Sequence, residues 1–298
     1  MNIVLTMDVE LWSWRGNFEE DIEKPVFRTI ELIQNENVPI TLFVSLSEKG
    51  LVFRDYFKKI TDFIASLHKS NLIEFGIHTH CRNLPTAFQT KNDDLKDYSL
   101  EQIEEIISTC KKELEKVLGK KIYAHRAGNY SIPPLNIMDE IFKKTGITID
   151  SSDISIYYST VKRYNNFYEM PPATNEYFSK KLRVFSPDQM GFDEMIKFYK
   201  ESKGYTRNLI MNSHSFSMYG KTGIHPESSF VQIWYNIPVT LQKMLRPGIS
   251  ISKKISRKFG KKEKINSIPY ETLKKAMIYL KEDGCKFTSF NEIIRAYS

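Results

Sequence analysis

Apolar residues along this chain keep two different periods, and the two take turns. "NIVLTMDV" (2–9), "VPITLFVS" (38–45) and "LIEFGIH" (72–78) are short runs rich in apolar and β-branched residues, the pattern of buried strands. Between them the period lengthens to that of a helix. Val26, Ile30 and Ile33 form one stripe, with Pro25 suited to its first turn, and Tyr56, Phe57, Ile60, Phe63, Ile64 and Leu67 form the next. Ser99 and Gln102 make a capping box ahead of a stripe of Ile103, Ile106, Ile107, Cys110 and Leu114, and Gly119 is a natural stop. "KIYAHRA" (121–127), a helix ending near Gly146 and "ITIDSS" (147–152) continue the alternation. A helix within "GFDEMIKFYKESKG", the strand "NLIMNSH" (208–214) and helices around Tyr270–Lys281 and Phe290–Tyr297 complete it. Repeated strand-then-helix predicts an α/β fold, a parallel sheet covered by helices. About seven such units suit a closed or nearly closed barrel better than an open sheet. With no repeat or Gly/Ser linker to force a boundary, one domain is expected over residues 1–298.

Composition excludes several classes. At 41% hydrophobic and 27% charged residues the chain is neither disordered nor a membrane bundle, and no window is apolar enough to span a bilayer. Cys81, Cys110 and Cys285 are odd in number and in no metal or redox spacing, so a reducing, cytoplasmic setting is expected. The opening "MNIVLTMDVELW" reads as the first strand, not as a leader. Net charge is +7 but unevenly placed: Lys243–Lys264 holds nine lysines and arginines against Glu263 alone, leaving the remainder about −1. Ile251, Ile255 and Phe259 would share a helix face inside that run. It is either a basic amphipathic insertion, at about 220–268, suited to an anionic membrane surface, or a solvated loop. No nucleic-acid-binding module accompanies it, so nucleic acid is not an expected partner.

The strand ends hold the chemistry. Asp8 and Glu10, His78 and His80, Arg126, Asp150 and Asp153, and His214 each close a predicted strand. In a barrel those ends converge on one mouth. A carboxylate with two imidazoles is a normal ligand set for a divalent ion, zinc first among them, and leaves positions open for water. A second carboxylate could take a proton from that water, an arginine could hold the carboxylate ionised, and a histidine could protonate a leaving group. His125 points away from the barrel interior if Arg126 points in. "YYSTVKRYNNFYEMPP" (157–172) is dense in tyrosine and serves either to stack on a sugar or to fix a loop by packing.

At these residues the sequence resembles the NodB-homology polysaccharide deacetylases, carbohydrate esterase family 4. "LTMDVE" resembles the first motif, "ITLFVS" the strand after it, "EFGIHTH" the second motif, "HRAGNYS" the arginine motif, "IDSSD" the fourth and "MNSHS" the histidine motif, in that order from residue 3 to about 216. "FTSFNEII" is similar to the final strand and helix. The resemblance implies a distorted (β/α)7 barrel with one divalent metal. It implies Asp8 as general base, Arg126 as its ionic partner and His214 as general acid, oriented by Asp150 or Asp153. It also implies substrate or oxyanion contacts at Asn129 and Tyr130. Two departures stand out. Val9 occupies the place of a usual aspartate ligand, so Glu10 would serve in an Asp-x-Glu variant. Arg82 occupies the place of the usual second histidine, so His80 would have to substitute beside His78.

The expected activity is metal-dependent removal of an N-acyl group, N-acetyl first, from an amino sugar. A nucleotide- or lipid-linked intermediate of surface-glycan assembly is the expected substrate, met in the cytoplasm or at the inner membrane face. The alternatives are a catalytically weakened glycan-binding barrel and an amidohydrolase acting on a non-sugar amide.

Overall fold

The computed structural model describes residues 1–11, 18–46, 53–67, 70–82, 84, 86–88, 90, 92–155, 157–159, 161–175, 183–218 and 268–297. The expected insertion at about 220–268, with its basic run 243–264, lies outside the described residues.

One sheet organises these residues. Its strands are β1 (Asn2–Val9), β2 (Ile40–Ser45), β3 (Ile73–Thr79), β4 (Ala124–Ala127), β5 (Ile149–Asp150), β6 (Lys162–Arg163), β7 (Tyr168–Glu169), β10 (Asn208–His214) and β11 (Lys286–Phe287). A small antiparallel pair, β8 (Thr174–Asn175) and β9 (Arg183–Val184), stands apart from it. The spatial order β10-β1-β2-β3-β4-β5-β7 is parallel throughout, with β6 added antiparallel at the far edge and β11 beside the start of β1. The sheet curls into the distorted (β/α)7 barrel that the resemblance implies. Its seventh parallel strand departs from the repeat, because β7 follows β5 through the β6 hairpin instead of a helix. The outer edge of β10 is covered by irregular chain. Ala173 N–H donates to Ile210 O (2.9 Å), Asn212 N–H to Phe185 O (3.1 Å) and Ile210 N–H to Ser159 Oγ (3.0 Å).

The helices are α1 (Lys24–Glu36), α2 (Phe53–Leu67), α3 (Leu100–Leu118), α4 (Leu135–Thr145), α5 (Phe192–Ser202), α6 (Ser215–Met218), α7 (Ile268–Glu282) and α8 (Phe290–Tyr297). The capping box forms at α3, with Gln102 N–H donating to Ser99 Oγ and Ser99 N–H to Gln102 Oε1. Gly146 ends α4 at φ +67°, a left-handed cap that costs a glycine nothing sterically.

Strand alternation divides the side chains between two faces. Ile3, Leu5, Met7 and Val9 of β1 pack outward with Leu42, Ile77 and the helices in the large core. Val4 points inward, and with Phe43, Ala124, Ile149, Ile210 and, from α8, Phe290 and Ile293 it plugs the floor of the barrel. Continuing up from Val4 by twos gives Thr6, Asp8 and Glu10. The inward column therefore turns from apolar at the floor to ionisable at the mouth. Register aligns that change across strands: Asp8 lies opposite His214, and His78 opposite Arg126.

Candidate active site

Arg126 sits above the Phe43 ring, its guanidinium carbon 4.1 Å from the ring centroid, with no solvent exposure. All five of its N–H groups have acceptors. Nη1 donates to Asp8 Oδ1 and Asn212 Oδ1, both at 2.6 Å, and Nη2 to Thr6 Oγ1 (3.1 Å) and Ser151 Oγ (2.8 Å). Nε donates to Ser151 O at 3.1 Å. A buried guanidinium this fully satisfied has one orientation.

Asp8 is thereby fixed as well. Its other oxygen accepts from Asn212 Nδ2 at 3.0 Å and lies 3.6 Å from His214 Nε2. Burial pushes the Asp8 carboxyl up, but Arg126, His78, His214 and the Asn212 hydrogen bond together hold it below the usual carboxylate range. His214 is ordered from its other side. Asp188 Oδ2 accepts both His214 Nδ1–H (2.8 Å) and the His214 backbone N–H (2.7 Å). Burial works against the imidazolium, yet Asp188 first, and then Asp8 and Glu10, raise its pKa to about 9.

Glu10, His78 and His80 form the second half of the site, all buried, with one potential ligand atom from each lying within 4.8 Å of the others. Both imidazoles are turned by their Nδ1 atoms. His78 Nδ1–H donates to Arg126 O (3.2 Å) and His80 Nδ1–H to Asp93 Oδ2 (3.0 Å), which leaves Nε2 as the lone-pair atom in each. Those lone pairs face Glu10, whose Oε2 is 2.7 Å from His80 Nε2 and Oε1 3.7 Å from His78 Nε2. Two electron-rich atoms at 2.7 Å require a cation between or beside them, a proton or a metal. The donor set is the mixed imidazole–carboxylate type that suits zinc and similar divalent ions. Burial raises the Glu10 pKa, but a proton on His80 or His78 outweighs it and holds the carboxyl well below its ordinary value. Ser215 Oγ braces the Glu10 backbone, accepting its N–H at 3.2 Å and donating to its carbonyl at 3.1 Å.

The structure thus brings Asp8, Arg126 and His214 together, and Glu10, His78 and His80 beside them. Arg82 is exposed and outside the ligand group. Asn129 and Tyr130 both take positive φ, at +54° and +53°, where the chain turns after β4. The Tyr130 hydroxyl accepts from Asn212 Nδ2 at 2.8 Å, and the Asn129 amide donates to Asp94 at 2.9 Å.

Asp150 is a correction. It does not reach His214. Ile149 points into the barrel floor, so the next side chain goes to the opposite face, where Asp150 Oδ1 accepts from His125 Nδ1 at 2.6 Å. Asp153 forms an Asx turn with Ser155 instead. The residue that orients His214 is Asp188, from the irregular "SPDQM" stretch, where no period marks it. Asn212 precedes His214 by two on one strand and so shares its face. Tyrosines of the tyrosine-rich stretch stack on neighbouring rings. Tyr158 stacks on Tyr205 (4.8 Å between centroids, 7° between planes) and Tyr164 on Phe167 (4.6 Å, 6°).

No protein-family model matches this sequence. No curated protein sequence matches it either. Solved structures do. The allantoinase Puue superposes with a TM-score of 0.58 at 10% identity, covering 99% of this chain and 89% of its own. A putative polysaccharide deacetylase from Mycobacterium smegmatis gives 0.56 at 12% identity, with the same coverage. PdaA from Bacillus subtilis, a family 4 carbohydrate esterase, gives 0.51 at 14% identity, covering all of this chain and 82% of its own. The fold is the polysaccharide-deacetylase barrel. Within that barrel, the candidate ligand group joins Glu10 to histidines two apart, His78 at the end of β3 and His80 in the turn beyond it. Among the described residues, no helix is long and apolar enough to cross a membrane.

Proposed function

We propose that this protein is a divergent carbohydrate esterase family 4 deacylase that hydrolyses an N-acyl group, N-acetyl first, on an amino sugar. The observation that supports the reading best is the adjacency of a buried Asp8–Arg126 pair, an Asp188-oriented His214 and a Glu10–His78–His80 ligand group. A divalent ion held by Glu10, His78 and His80, with zinc the first choice, would supply Lewis acidity that polarises the acyl carbonyl and acidifies water. Asp8, kept ionised, takes a proton from the attacking water. His214, kept protonated, gives one to the departing amine. Arg126 neutralises and aims Asp8 without itself transferring a proton. Asn129 and Tyr130 would line the acyl side of the site.

The whole chain, 1–298, is read as one barrel domain, since β11 returns to pair with β1 and α8 plugs the barrel floor beyond the 220–268 segment. The basic run 243–264 is the basis for a lipid- or nucleotide-linked sugar and for contact with an anionic membrane from the cytoplasmic side. No nucleic-acid partner is proposed.

The test is acetate release from N-acetylated glucosamine oligomers by the full chain loaded with zinc or cobalt. Turnover that Asp8→Asn abolishes while sugar binding persists supports the reading. Binding without turnover in the wild type would make it a glycan-binding barrel. Turnover of ureides or simple amides alone would make it an amidohydrolase on non-sugar substrates, the reading that the likeness to an allantoinase favours. Sedimentation with phosphatidylserine vesicles, compared with neutral ones, tests the membrane contact.

A further inference from the structure

On the face of the sheet opposite the site lies a second buried ionisable group that the proposed chemistry does not use. His125, Asp150 and Glu169 stand on one rung of the ladder, His125 paired with Asp150 and Asp150 with Glu169. None of the three is exposed to solvent. Asp150 Oδ1 is 2.6 Å from His125 Nδ1 and accepts from Ser152 Oγ at 2.8 Å. Glu169 Oε1 accepts the backbone N–H groups of Ser152 (2.9 Å) and Asp153 (3.0 Å). The remaining oxygens, Asp150 Oδ2 and Glu169 Oε2, are both buried and find no donor among the protein's own N–H and O–H groups. One proton held between the two carboxyls accounts for both.

We propose that Asp150 and Glu169 share a single buried proton, and that this acid pair with His125 is a positioning element for the site on the other face. Two connections lead there. The first runs through the turn after β5. Ser152 Oγ, donating to Asp150, accepts Ala127 N–H at 2.9 Å, and the neighbouring Ser151 accepts from Arg126 Nε and Nη2. The pair therefore fixes the acceptors that aim Arg126 at Asp8. The second runs through His125, whose Nδ1–H goes to Asp150, leaving Nε2 to accept from Thr79 Oγ1 at 2.9 Å. Thr79 lies between the two histidines of the ligand group. A neutral imidazole is required for this tautomer. Burial keeps His125 neutral by lowering its pKa to about 3.

The titratable groups acting on Glu169 are Asp150 from β5, His125 from β4 and Tyr164 from the β6 hairpin, while Asp153 meets it through its backbone N–H. Burial first, and then the Asp150 charge, push the Glu169 carboxyl well above its ordinary range. A carboxyl raised in the folded state contributes stability at acid pH that is lost as pH rises through its folded pKa. Glu169→Gln keeps the neutral shape without that loss.

The shared proton is independent of the deacylase reading; its consequences for cobalt binding and turnover rest on it. The experiment compares the full-length wild type with Glu169→Gln, Glu169→Ala and Thr79→Val. Infrared spectroscopy at about pH 7.5 should show a protonated carboxylic acid in the wild type that Glu169→Gln removes. The Tm of Glu169→Gln relative to wild type should rise as pH climbs above the ordinary carboxylate range. Cobalt(II) titration, read by ligand-field absorption, should give wild-type affinity within about threefold for Glu169→Gln. The same titration should give roughly tenfold weaker binding for Glu169→Ala and Thr79→Val. Should Glu169→Ala fail to fold, Thr79→Val and the infrared band still decide. Absence of the band, a Tm difference flat with pH, or cobalt affinity unchanged in the folded variants would overturn the proposal. Failure to release acetate with band and cobalt binding intact would overturn the deacylase reading alone.

Discussion

Gly128 lies directly against the imidazole of His80: a Cβ on Gly128 would stand 2.7 Å from Nδ1 and 2.8 Å from the adjoining ring carbons. Real Cβ atoms do not approach so closely, so the ring occupies space that a glycine on β4's trailing turn leaves open. This is how a histidine only two residues after His78 reaches Glu10. Gly128→Ala should shift His80, cost about 1–3 kcal/mol of stability by overpacking and weaken cobalt binding more than its effect on Tm would suggest. Isothermal titration beside thermal unfolding checks it; unchanged affinity would mean that His80 is not a ligand.

Asp93 turns His80 from the other side. Asp93→Ala should weaken divalent-metal binding roughly 10–100-fold, the usual effect of removing a carboxylate behind a ligand histidine. Asp93→Asn, which can still accept from Nδ1–H, should fall between it and the wild type. Equal affinities across the three proteins would remove Asp93 from this role.

Asp8 and Arg126 neutralise each other where neither is solvated. Asp8→Asn leaves the guanidinium buried without its carboxylate, and a loss of about 3–5 kcal/mol is expected from breaking one side of a buried pair. Urea unfolding measures it. A variant as stable as the wild type would show that Asn212, Thr6 and Ser151 suffice for Arg126.

The pH profile should report His214. With its pKa raised to about 9, the imidazolium persists through neutrality, so turnover that needs a protonated acid should fall only as pH rises through that value. The stability it contributes follows the same sign, complete below the unfolded pKa of about 6.5 and lost on passing the folded one. Asp188→Asn removes the largest raising influence and should move the alkaline limb toward neutral pH. An unmoved limb would assign that limb to another group.

Much of this arrangement is legible in the chain. The run "NIVLTMDV" specifies a buried parallel strand, and period two alone places Asp8 and Glu10 on one face. The same rule puts Asn212 beside His214, and separates His125 from Arg126. Spacing could not say which outward residues meet. That depends on register between strands, which puts His125 opposite Asp150. Asp150 therefore reads in sequence as a site residue and stands in the structure behind the site.

Asp188 and Asp93 mark the limit from the other side. Both lie in irregular chain, where neither hydrophobic period nor motif order indicates direction, and both owe their roles to how that chain folds back on a histidine at a strand end. The sequence by itself determined the alternation of elements, the inward columns and their change from apolar floor to ionisable mouth, because these follow from local sterics and solvent. Only the tertiary structure decided the partners of His214, His80 and Asp150. Hydrogen bonds form between atoms that are close in space, and closeness across the barrel is fixed by curl and register that no single strand encodes.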